Sequence, residues 1–333
     1  MISRKEMSRR QVLQRGVAAA VGAMALPQLV PGSVLAQQDR PGANDRIRIG
    51  AIGVGRQGTG LLAKLQRYPV AQLVAVADAD IERAERVGKK FGAEWMREYQ
   101  RILDRKDVDA IITATTDHWR SLVCIHAAQA KKDIYAEKPM TLTVAEGRKM
   151  VEAARKYGVV FQTGSQQRSM AINSLACELI RTGQLGKVKK VIGFNFPSPW
   201  ECDFQGQPVP DGLDWDLWCG PTEPVPFHPN LYAPRTNPGW ISFRPYSGGE
   251  VTGWGSHGFD QIQWALGMDE SGPVEFWPGE GDFDPPTYRE PESRERGERI
   301  CATPPVSWRY ANGVVVELAK GNQAGGIFVC EKG

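Results

Sequence analysis

A glycine-rich turn between an apolar run and an amphipathic segment constrains the fold most strongly. Residues 47–52 are a short apolar run, Gly53-Val54-Gly55-Arg56-Gln57-Gly58 follows it, and residues 59–66 carry leucines at helical spacing. Asp78 ends the next apolar run, 20 residues after Gly58. In this setting the first glycine permits the turn, the second lets a pyrophosphate approach the backbone, and the third allows close packing of helix on strand. The pattern predicts a dinucleotide site at a helix N-terminus, against the alternative of a glycine turn that binds no cofactor.

Strands and helices alternate over the segment that follows the turn. Apolar, β-rich runs occur at 73–77, 110–115, 134–136 and 159–161, separated by stretches with helical spacing. Thr143 and Glu146 have the spacing of a capping box, which predicts a helix running from there to Tyr157. Alternation of this kind is typical of a parallel sheet with crossover helices. We therefore predict an α/β fold with a doubly wound parallel Rossmann sheet over residues 46–163.

Asp78 sets the expected cofactor preference. A carboxylate at this position accepts hydrogen bonds from the ribose hydroxyls and repels a 2′-phosphate, so NAD is favoured over NADP. Arg56 and Arg83 lie close by in the sequence and soften that preference, which keeps NADP open as an alternative.

The charge of the chain is concentrated in its first 36 residues. The whole chain has 41 Lys+Arg against 38 Asp+Glu, but beyond residue 36 the counts are 36 and 37. A near-neutral body argues against a phosphate-binding nucleic-acid surface, so no nucleic-acid partner is expected.

The first 36 residues have the order of an export signal. Arg9-Arg10 precede a short apolar run at 16–26, which is too short for the roughly 20 residues of a membrane span, and a peptidase site is expected at 34–36. The segment resembles a twin-arginine signal, which implies periplasmic export of an already folded protein. We expect residues 1–36 to be this signal, with 37–45 as a linker and no stable membrane span afterwards; an amphipathic helix is the alternative.

A second motif lies at the carboxyl edge of the predicted sheet. Glu137-Lys138-Pro139 directly follows the 134–136 run, and ligands of open α/β sheets bind at that edge. A lysine there reaches both a nicotinamide ribose and a substrate hydroxyl, although a lone loop lysine is usually a solvated charge.

Taken together, the motifs resemble those of the Gfo/Idh/MocA oxidoreductases, which include glucose–fructose oxidoreductase and inositol dehydrogenase. The matching elements are the glycine turn, Asp78, the segments 114–118 and 137–139, and Gly255–Asp260. The resemblance covers roughly residues 46–333. It implies a second α/β domain with an open, mostly antiparallel sheet at 164–333, NAD(P), a homo-oligomer, and hydride removal from a hydroxyl-bearing carbon of a sugar or cyclitol.

The resemblance also assigns roles to individual residues. It identifies Lys138 as the catalytic lysine and Pro139 as the proline that shapes its loop; the sequence leaves open whether the bond between them is cis. It identifies His257 as the histidine that faces nicotinamide and substrate, acting as a general base or orienting donor. The expected cofactor-binding residues are Gly53, Gly55, Arg56, Gln57, Gly58, Asp78, Thr115, Thr116, His118, Glu137, Lys138 and Gln166. The expected substrate-binding residues are Asp260, Arg168, Glu250, Trp254 and Tyr232.

One position departs from the family pattern. Many members have Asp four residues before this histidine, whereas Gly253 occupies that position here. Either Glu250 or Asp260 takes over the role of the missing aspartate, or the reaction differs from that of the family. Carboxylates and histidines in this region have no standard metal-ligand spacing, so no metal is expected.

The rest of the second domain is read from composition and turn signals. Residues 197–249 are rich in Pro, Gly and Trp and are expected to form an ordered insertion over the site, with tryptophans against sugar faces or in the core. Asn312-Gly313 predicts a hairpin, followed by a strand at 327–330. The resemblance implies a longer second domain, so we expect the sequence to be incomplete at its C-terminus. Among six scattered cysteines, Cys202 and Cys219 are a weak candidate for a disulfide.

Three functions fit the sequence. The first is an exported NAD(P)-dependent oxidoreductase with a tightly held cofactor. The second is a redox-neutral glycoside hydrolase or lyase that works through a keto-sugar intermediate. The third is a non-catalytic carbohydrate-binding protein with a vestigial nucleotide site, which Gly253 slightly favours and Lys138 argues against.

Overall fold

The computed structural model describes residues 41–195, 203–232, 239–280, 306–320 and 325–332. Residues 1–46 form a unit of their own, of which the described part contains a short 3-10 helix at Ala43–Asp45, and residues 47–333 form a second unit. The expected signal at 1–36, and Cys202 with its expected pairing, lie outside the described residues. No helix within the described ranges is long and apolar enough to cross a bilayer.

Six parallel strands form the first sheet. They are β1 (Ile47–Ile52), β2 (Ala71–Ala77), β3 (Glu94–Met96), β4 (Ala110–Thr113), β5 (Asp133–Glu137) and β6 (Phe161–Gly164). Their order is β3-β2-β1-β4-β5-β6, so the strand order reverses between β1 and β4. A crevice opens at this point outside the carboxyl ends of the strands. The predicted Rossmann sheet is confirmed.

Five helices connect these strands. They are α1 (Arg56–Leu65), α2 (Ile81–Phe91), α3 (Gln100–Leu103), α4 (Asp117–Gln129) and α5 (Val144–Tyr157). The capping box at the start of α5 is present, with Thr143 accepting from the Glu146 amide and Glu146 accepting from the Thr143 amide. Two apolar clusters are built from these strands and helices, one around Leu62 and Val76 and the other around Ile102 and Ile111. The sheet is therefore the rigid support of the crevice.

Five further α-helices lie in the described ranges after residue 165. They are α6 (Ala171–Arg181), α7 (Trp215–Cys219), α8 (Pro229–Tyr232), α9 (Gly249–Gly253) and α10 (Gly255–Ala265). The strands of the second sheet are β7 (Val188–Asn195), β8 (Glu275–Pro278), β9 (Val306–Arg309), β10 (Val315–Lys320) and β11 (Gly325–Cys330).

The second sheet has the order β11-β7-β10-β9-β8. Its pairings are antiparallel except for β7 with β10, which is parallel, so the expectation of a mostly antiparallel sheet is confirmed. The predicted turn at Asn312-Gly313 joins β9 to β10, and Gly313 has φ 86°, which favours glycine. Helix α10 packs on this sheet, where Ile262 and Phe259 meet a cluster that includes Val191 and Trp308.

The described part of the insertion packs mainly as core. Trp215 and Trp218 are buried and stack with ring centroids 4.5 Å apart, in a cluster that also contains Phe243 and Tyr246. These two tryptophans therefore follow the core alternative rather than the sugar-binding one. Trp200 lies outside the described residues.

Candidate active site

The glycine turn has the geometry that a dinucleotide needs. Gly53 has φ 76°, and a Cβ there would lie 2.8 Å from the Thr115 amide nitrogen. A Cβ on Gly58 would collide with the carbonyl oxygen of Gly53. A Cβ on Gly55, by contrast, has nothing within 4 Å, because this glycine faces open space. The first and third glycines thus hold the fold together, and the second leaves room for a pyrophosphate beside the start of α1.

Asp78 lies at the expected end of β2 and is engaged with the turn. Its carboxylate accepts the Val54 amide at 2.9 Å and the Asp80 amide at 3.1 Å, and it pairs with Arg83 at 3.3 Å. Burial raises the pKa of Asp78, while the charge of Arg83 and the two amides act in the opposite direction. The turn, the β2 end and α2 are thereby fixed to one another around a carboxylate that also lines the groove.

A groove runs from Asp78 along the carboxyl ends of the strands. Its lower wall includes Gly53, Gly55, Arg56 and Gln57 of the glycine turn, together with Thr115 and Thr116. Its upper wall comes from the second part of the chain, through Leu217, Trp218, Tyr232 and Trp240. We call residues 203–232, which contribute most of this upper wall, the roof segment.

The roof segment is hydrogen-bonded to the Rossmann part of the chain at two neighbouring places. Leu213 forms an antiparallel bridge with Asp80, with the Asp214 amide 3.1 Å from the Ala79 carbonyl oxygen. One helical turn further along, the Trp119 indole donates to the Leu217 carbonyl oxygen at 2.9 Å. Helix α7 is thereby held against the loop after β2 and against α4.

Two residues that were expected at the cofactor or the substrate instead connect the roof segment to the Rossmann part of the chain. We expected His118 at the cofactor, but its ring is buried, with Nε2 3.0 Å from the Trp218 carbonyl oxygen and Nδ1 3.4 Å from that of Tyr246. Burial lowers the pKa of His118 to about 4. We expected Tyr232 at the substrate, but its hydroxyl donates to Asp80 at 2.8 Å at the far end of the groove. Both placements follow from the path of the insertion, which folds back over the cofactor groove.

A second pocket continues the groove at its inner end. The two share Arg56, Gln57, Thr115 and Trp240. The pocket adds a set of residues that had been expected at cofactor and substrate: Glu137, Lys138, Gln166, Trp254 and His257. The structure therefore brings the lysine and the histidine together at the end of the cofactor groove.

Hydrogen bonds fix Lys138 and its loop. Lys138 Nζ donates to the Gly253 carbonyl oxygen at 3.2 Å, which reaches across to α9. The Glu137 carboxylate accepts the Gln57 amide group at 2.7 Å and the Lys138 backbone amide at 3.1 Å. The Lys138–Pro139 bond, which the sequence left open, is cis. Glu137 thus joins the glycine turn to the loop that carries Lys138.

A buried ion pair supports the same loop from below. Asp117 and Arg120 are 3.0 Å apart at the start of α4, and Asp117 also accepts the Ser247 hydroxyl at 2.8 Å. Arg120 donates to the carbonyl oxygens of Thr115 and Pro139. The sequence reasoning missed Arg120 and Ser247, and the one available signal was the helical spacing of Asp117 and Arg120, three residues apart.

Three expected substrate residues lie away from this pocket. Arg168 forms a bidentate salt bridge with Asp260, with its Nε and Nη2 each 2.8 Å from a carboxylate oxygen, and its Nη2 also donates to Asp269 at 2.8 Å. This network lines a separate cavity on the other side of α10. Asp260 therefore neither orients His257 nor reaches the pocket, because its position on α10 turns it towards Arg168. Glu250 is fully buried and does not line the pocket, so it does not meet substrate directly.

Metal-ligating side chains do not converge at this site. Across the described ranges, no group of three or more His, Cys, Asp or Glu is arranged to hold a metal ion.

Two models of one oxidoreductase family match the chain. The family's NAD-binding Rossmann fold matches residues 47–165, and its C-terminal alpha/beta domain matches residues 175–283, so together they cover more than half of the chain.

Curated relatives and solved structures are similar as well. The chain is 30% identical over 142 residues to the myo-inositol 2-dehydrogenase of Thermotoga maritima, a match that covers 42% of each chain. It is 32% identical over 151 residues to the scyllo-inositol 2-dehydrogenase (NAD(+)) of Bacillus subtilis, covering 45% of this chain and 44% of the relative. These matches thus span less than half the length of the curated relatives. The WlbA dehydrogenase of Bordetella pertussis, solved with NADH and UDP-GlcNAcA, has a TM-score of 0.59 at 21% identity and covers 82% of this chain and 69% of its own, which shows a shared fold.

Proposed function

The chain belongs to the Gfo/Idh/MocA oxidoreductase family, and from that premise we propose that it is an NAD(P)-dependent dehydrogenase of a sugar, glycoside or cyclitol hydroxyl. The observation that carries the proposal is the continuity of the dinucleotide groove with the pocket of Lys138 and His257. The inositol 2-dehydrogenases named above act on cyclitols by their names, which supports a polyol substrate.

The residues of the pocket have distinct tasks in this reaction. Bound NAD supplies an acceptor for the hydride that leaves the hydroxyl-bearing carbon with its electron pair. Lys138 and His257 take up the proton of the hydroxyl group as its oxygen becomes a carbonyl. Trp254 and Trp240 offer flat apolar walls for the C–H face of the ring, and Gln166 offers an amide to the remaining hydroxyls. Pre-positioning of these groups is the protein's contribution, since the cofactor carries the redox chemistry.

We propose NAD rather than NADP as the cofactor. Asp78 is buried at the groove and would face the adenosine ribose, where its charge disfavours a 2′-phosphate. Arg83 does not reverse this preference, because it is paired with Asp78 and Asp80.

We also propose that the cofactor is held tightly. The roof segment forms one wall of the groove and is hydrogen-bonded to the Rossmann part of the chain beside Asp80 and Trp119, which favours slow release. A retained cofactor must be returned to its starting state within the site. Redox-neutral cleavage of a glycoside through a keto sugar achieves this, so a retained cofactor makes that reaction the second candidate.

The test is turnover by the purified protein with and without Lys138. Inositols, aldoses and aryl glycosides are offered, while NADH formation and aglycone release are followed. Net NADH supports the dehydrogenase, and aglycone release without net NADH supports the redox-neutral reaction. Lys138→Met is expected to lose both activities by at least about a hundredfold, with NAD binding retained. Turnover that survives Lys138→Met would overturn the proposed role of the lysine.

Export and assembly are further parts of the proposal. The twin-arginine pattern supports a periplasmic location, and replacing Arg9-Arg10 by two lysines is expected to leave the protein inside the cell, as fractionation would show. Family membership supports a homo-oligomer, which sedimentation would test.

A further inference from the structure

Glu250 is a charged side chain in an unusual place. It is fully buried at the start of α9, although glutamates are rarely buried unless they serve a partner. Helices α9 and α10 continue almost directly into each other, since the Trp254 amide is 2.9 Å from the Glu250 carbonyl oxygen and the Gly258 amide is 3.1 Å from that of Trp254. Glu250, Gly253 and His257 are therefore at positions i, i+3 and i+7 and share one helical face.

Gly253 leaves a gap on this face, and Glu250 lies against it. A Cβ on residue 253 would lie 3.6 Å from Glu250 Oε2 and 3.3 Å from Ile241 Cδ1. The carboxylate of Glu250 thus lies beside the space that a side chain at 253 would enter. Lys138 Nζ approaches the same residue from the pocket, at 3.2 Å from the Gly253 carbonyl oxygen. The Glu250 carboxylate and the Lys138 ammonium group thus both lie beside Gly253, one turn of helix before His257.

The neighbouring carboxylates Asp117 and Glu137 have hydrogen-bond partners outside the face of Glu250 and His257. Asp117 accepts from Arg120 and from Ser247, and its charge also acts on Lys138. Glu137 accepts from Gln57 and from the Lys138 amide. Among these carboxylates and the paired Asp260, Glu250 is the one that shares the His257 face and borders Gly253.

We infer that Glu250 is the positioning carboxylate of the site: across the gap at Gly253 it holds Lys138 and His257 in place and stabilises the positive charge they gain from the substrate proton. This inference rests on the proposed dehydrogenase function. The hydroxyl O–H bond breaks towards the Lys138–His257 pair, the C–H bond breaks towards NAD with both electrons, and Glu250 takes part in neither bond change. A glutamate reaching from 250 thereby replaces the aspartate that many relatives carry at 253.

The inference predicts that the charge can be moved from residue 250 to residue 253. Glu250→Ala/Gly253→Asp places a carboxylate directly in the gap, and Glu250→Ala/Gly253→Asn places an amide of the same size there. The two side chains have the same shape and differ in charge and in the NH2 donor of the amide, so crowding against Ile241 is equal in both. Glu250→Asp, which keeps the charge, and Asp269→Asn, which removes a carboxylate outside the pocket, complete the set.

The measurement is the titration of the His257 ring by nitrogen NMR in the purified, NAD-loaded protein. The chain has four histidines, which makes assignment by single substitution practical. Removing a nearby negative charge makes the protonated ring less stable, so its midpoint moves to lower pH. We expect a shift of about one unit in the 253-Asn variant relative to wild type, and recovery of most of it in the 253-Asp variant. Asp269→Asn is expected to leave the midpoint in place.

Activity provides a second and separable readout. On any substrate that the wild type turns over, kcat is expected to fall up to about a hundredfold in the 253-Asn variant and to recover in the 253-Asp variant, with little change in KM. Equal His257 midpoints in the two variants would overturn the inference, whatever their activity. If the midpoints differ but the wild type turns over no substrate, the position of the carboxylate would be supported and the proposed dehydrogenase function would be wrong.

Discussion

Removal of one hydroxyl from the roof segment is expected to speed cofactor release. The Tyr232 hydroxyl donates to Asp80 at 2.8 Å and accepts from Arg83, at the end of the groove where the adenosine is expected. Hydrogen bonds to charged groups contribute about 1.5–3 kcal/mol. Tyr232→Phe keeps the ring, which stays beneath the Arg83 guanidinium 4.9 Å away, and Asp80 and Arg83 keep each other at 3.4 Å. The lower half of that range therefore applies, about 1.5–2 kcal/mol.

Because each 1.4 kcal/mol corresponds to a factor of ten, this loss predicts release of NADH about 10- to 30-fold faster. The assay is stopped-flow loss of NADH fluorescence on mixing the loaded protein with excess NAD. Tyr68→Phe is the matched control, since Tyr68 is exposed and distant from the groove. An unchanged release rate in a folded Tyr232→Phe protein would refute the reasoning that the roof segment retains the cofactor.

Three further substitutions test other parts of the site. Asp78→Asn removes the charge that disfavours a 2′-phosphate, so the NAD-to-NADP affinity ratio is expected to fall at least about tenfold by calorimetry; an unchanged ratio would contradict the assignment. Arg120→Met leaves Asp117 buried without its cation, and urea unfolding is expected to show a loss of about 3–5 kcal/mol, whereas a loss below 1 kcal/mol, roughly that of a surface ion pair, would contradict it. Burial lowers the pKa of His118 from 6.5 to about 4, so the unfolded chain binds this proton before the folded chain does as the pH falls. The free energy of unfolding is therefore expected to decrease by about 3 kcal/mol between pH 6.5 and pH 4. The same decrease in a His118→Gln protein would exclude this histidine as the source.

Local signals in the sequence were sufficient for most of the Rossmann sheet. The bounds of β1 and the capping box of α5 follow from neighbouring residues, because apolar runs and side-chain caps act within a few positions. The strand β3 was missed, since it has three residues and a mixed pattern, and pairing with β2 sustains it. Helix α6 carries apolar residues at helical spacing, yet Ile172 is 67% exposed, so such periodicity indicates the helix and not its burial.

The site was predictable where motifs carry it and not where distant segments meet. Lys138 and His257 came from motifs, and the structure brings them to one pocket. Arg168 and Asp260 are 92 positions apart, and no local pattern indicates that they neutralise each other. His118 was misplaced for the same reason: its partners are carbonyl groups of an insertion that begins some 80 residues later and folds back across the groove.

The central claim is that the groove between the glycine turn and the roof segment holds NAD firmly against Lys138 and His257. The most direct test is to dialyse the purified protein extensively, denature it, and measure released nucleotide by absorbance and mass. The account predicts stoichiometric NAD. If added NAD binds but no nucleotide is retained through dialysis, the NAD site would be supported and its firm retention of the cofactor would be refuted. No released nucleotide, together with no binding of added NAD or NADP, would contradict the account.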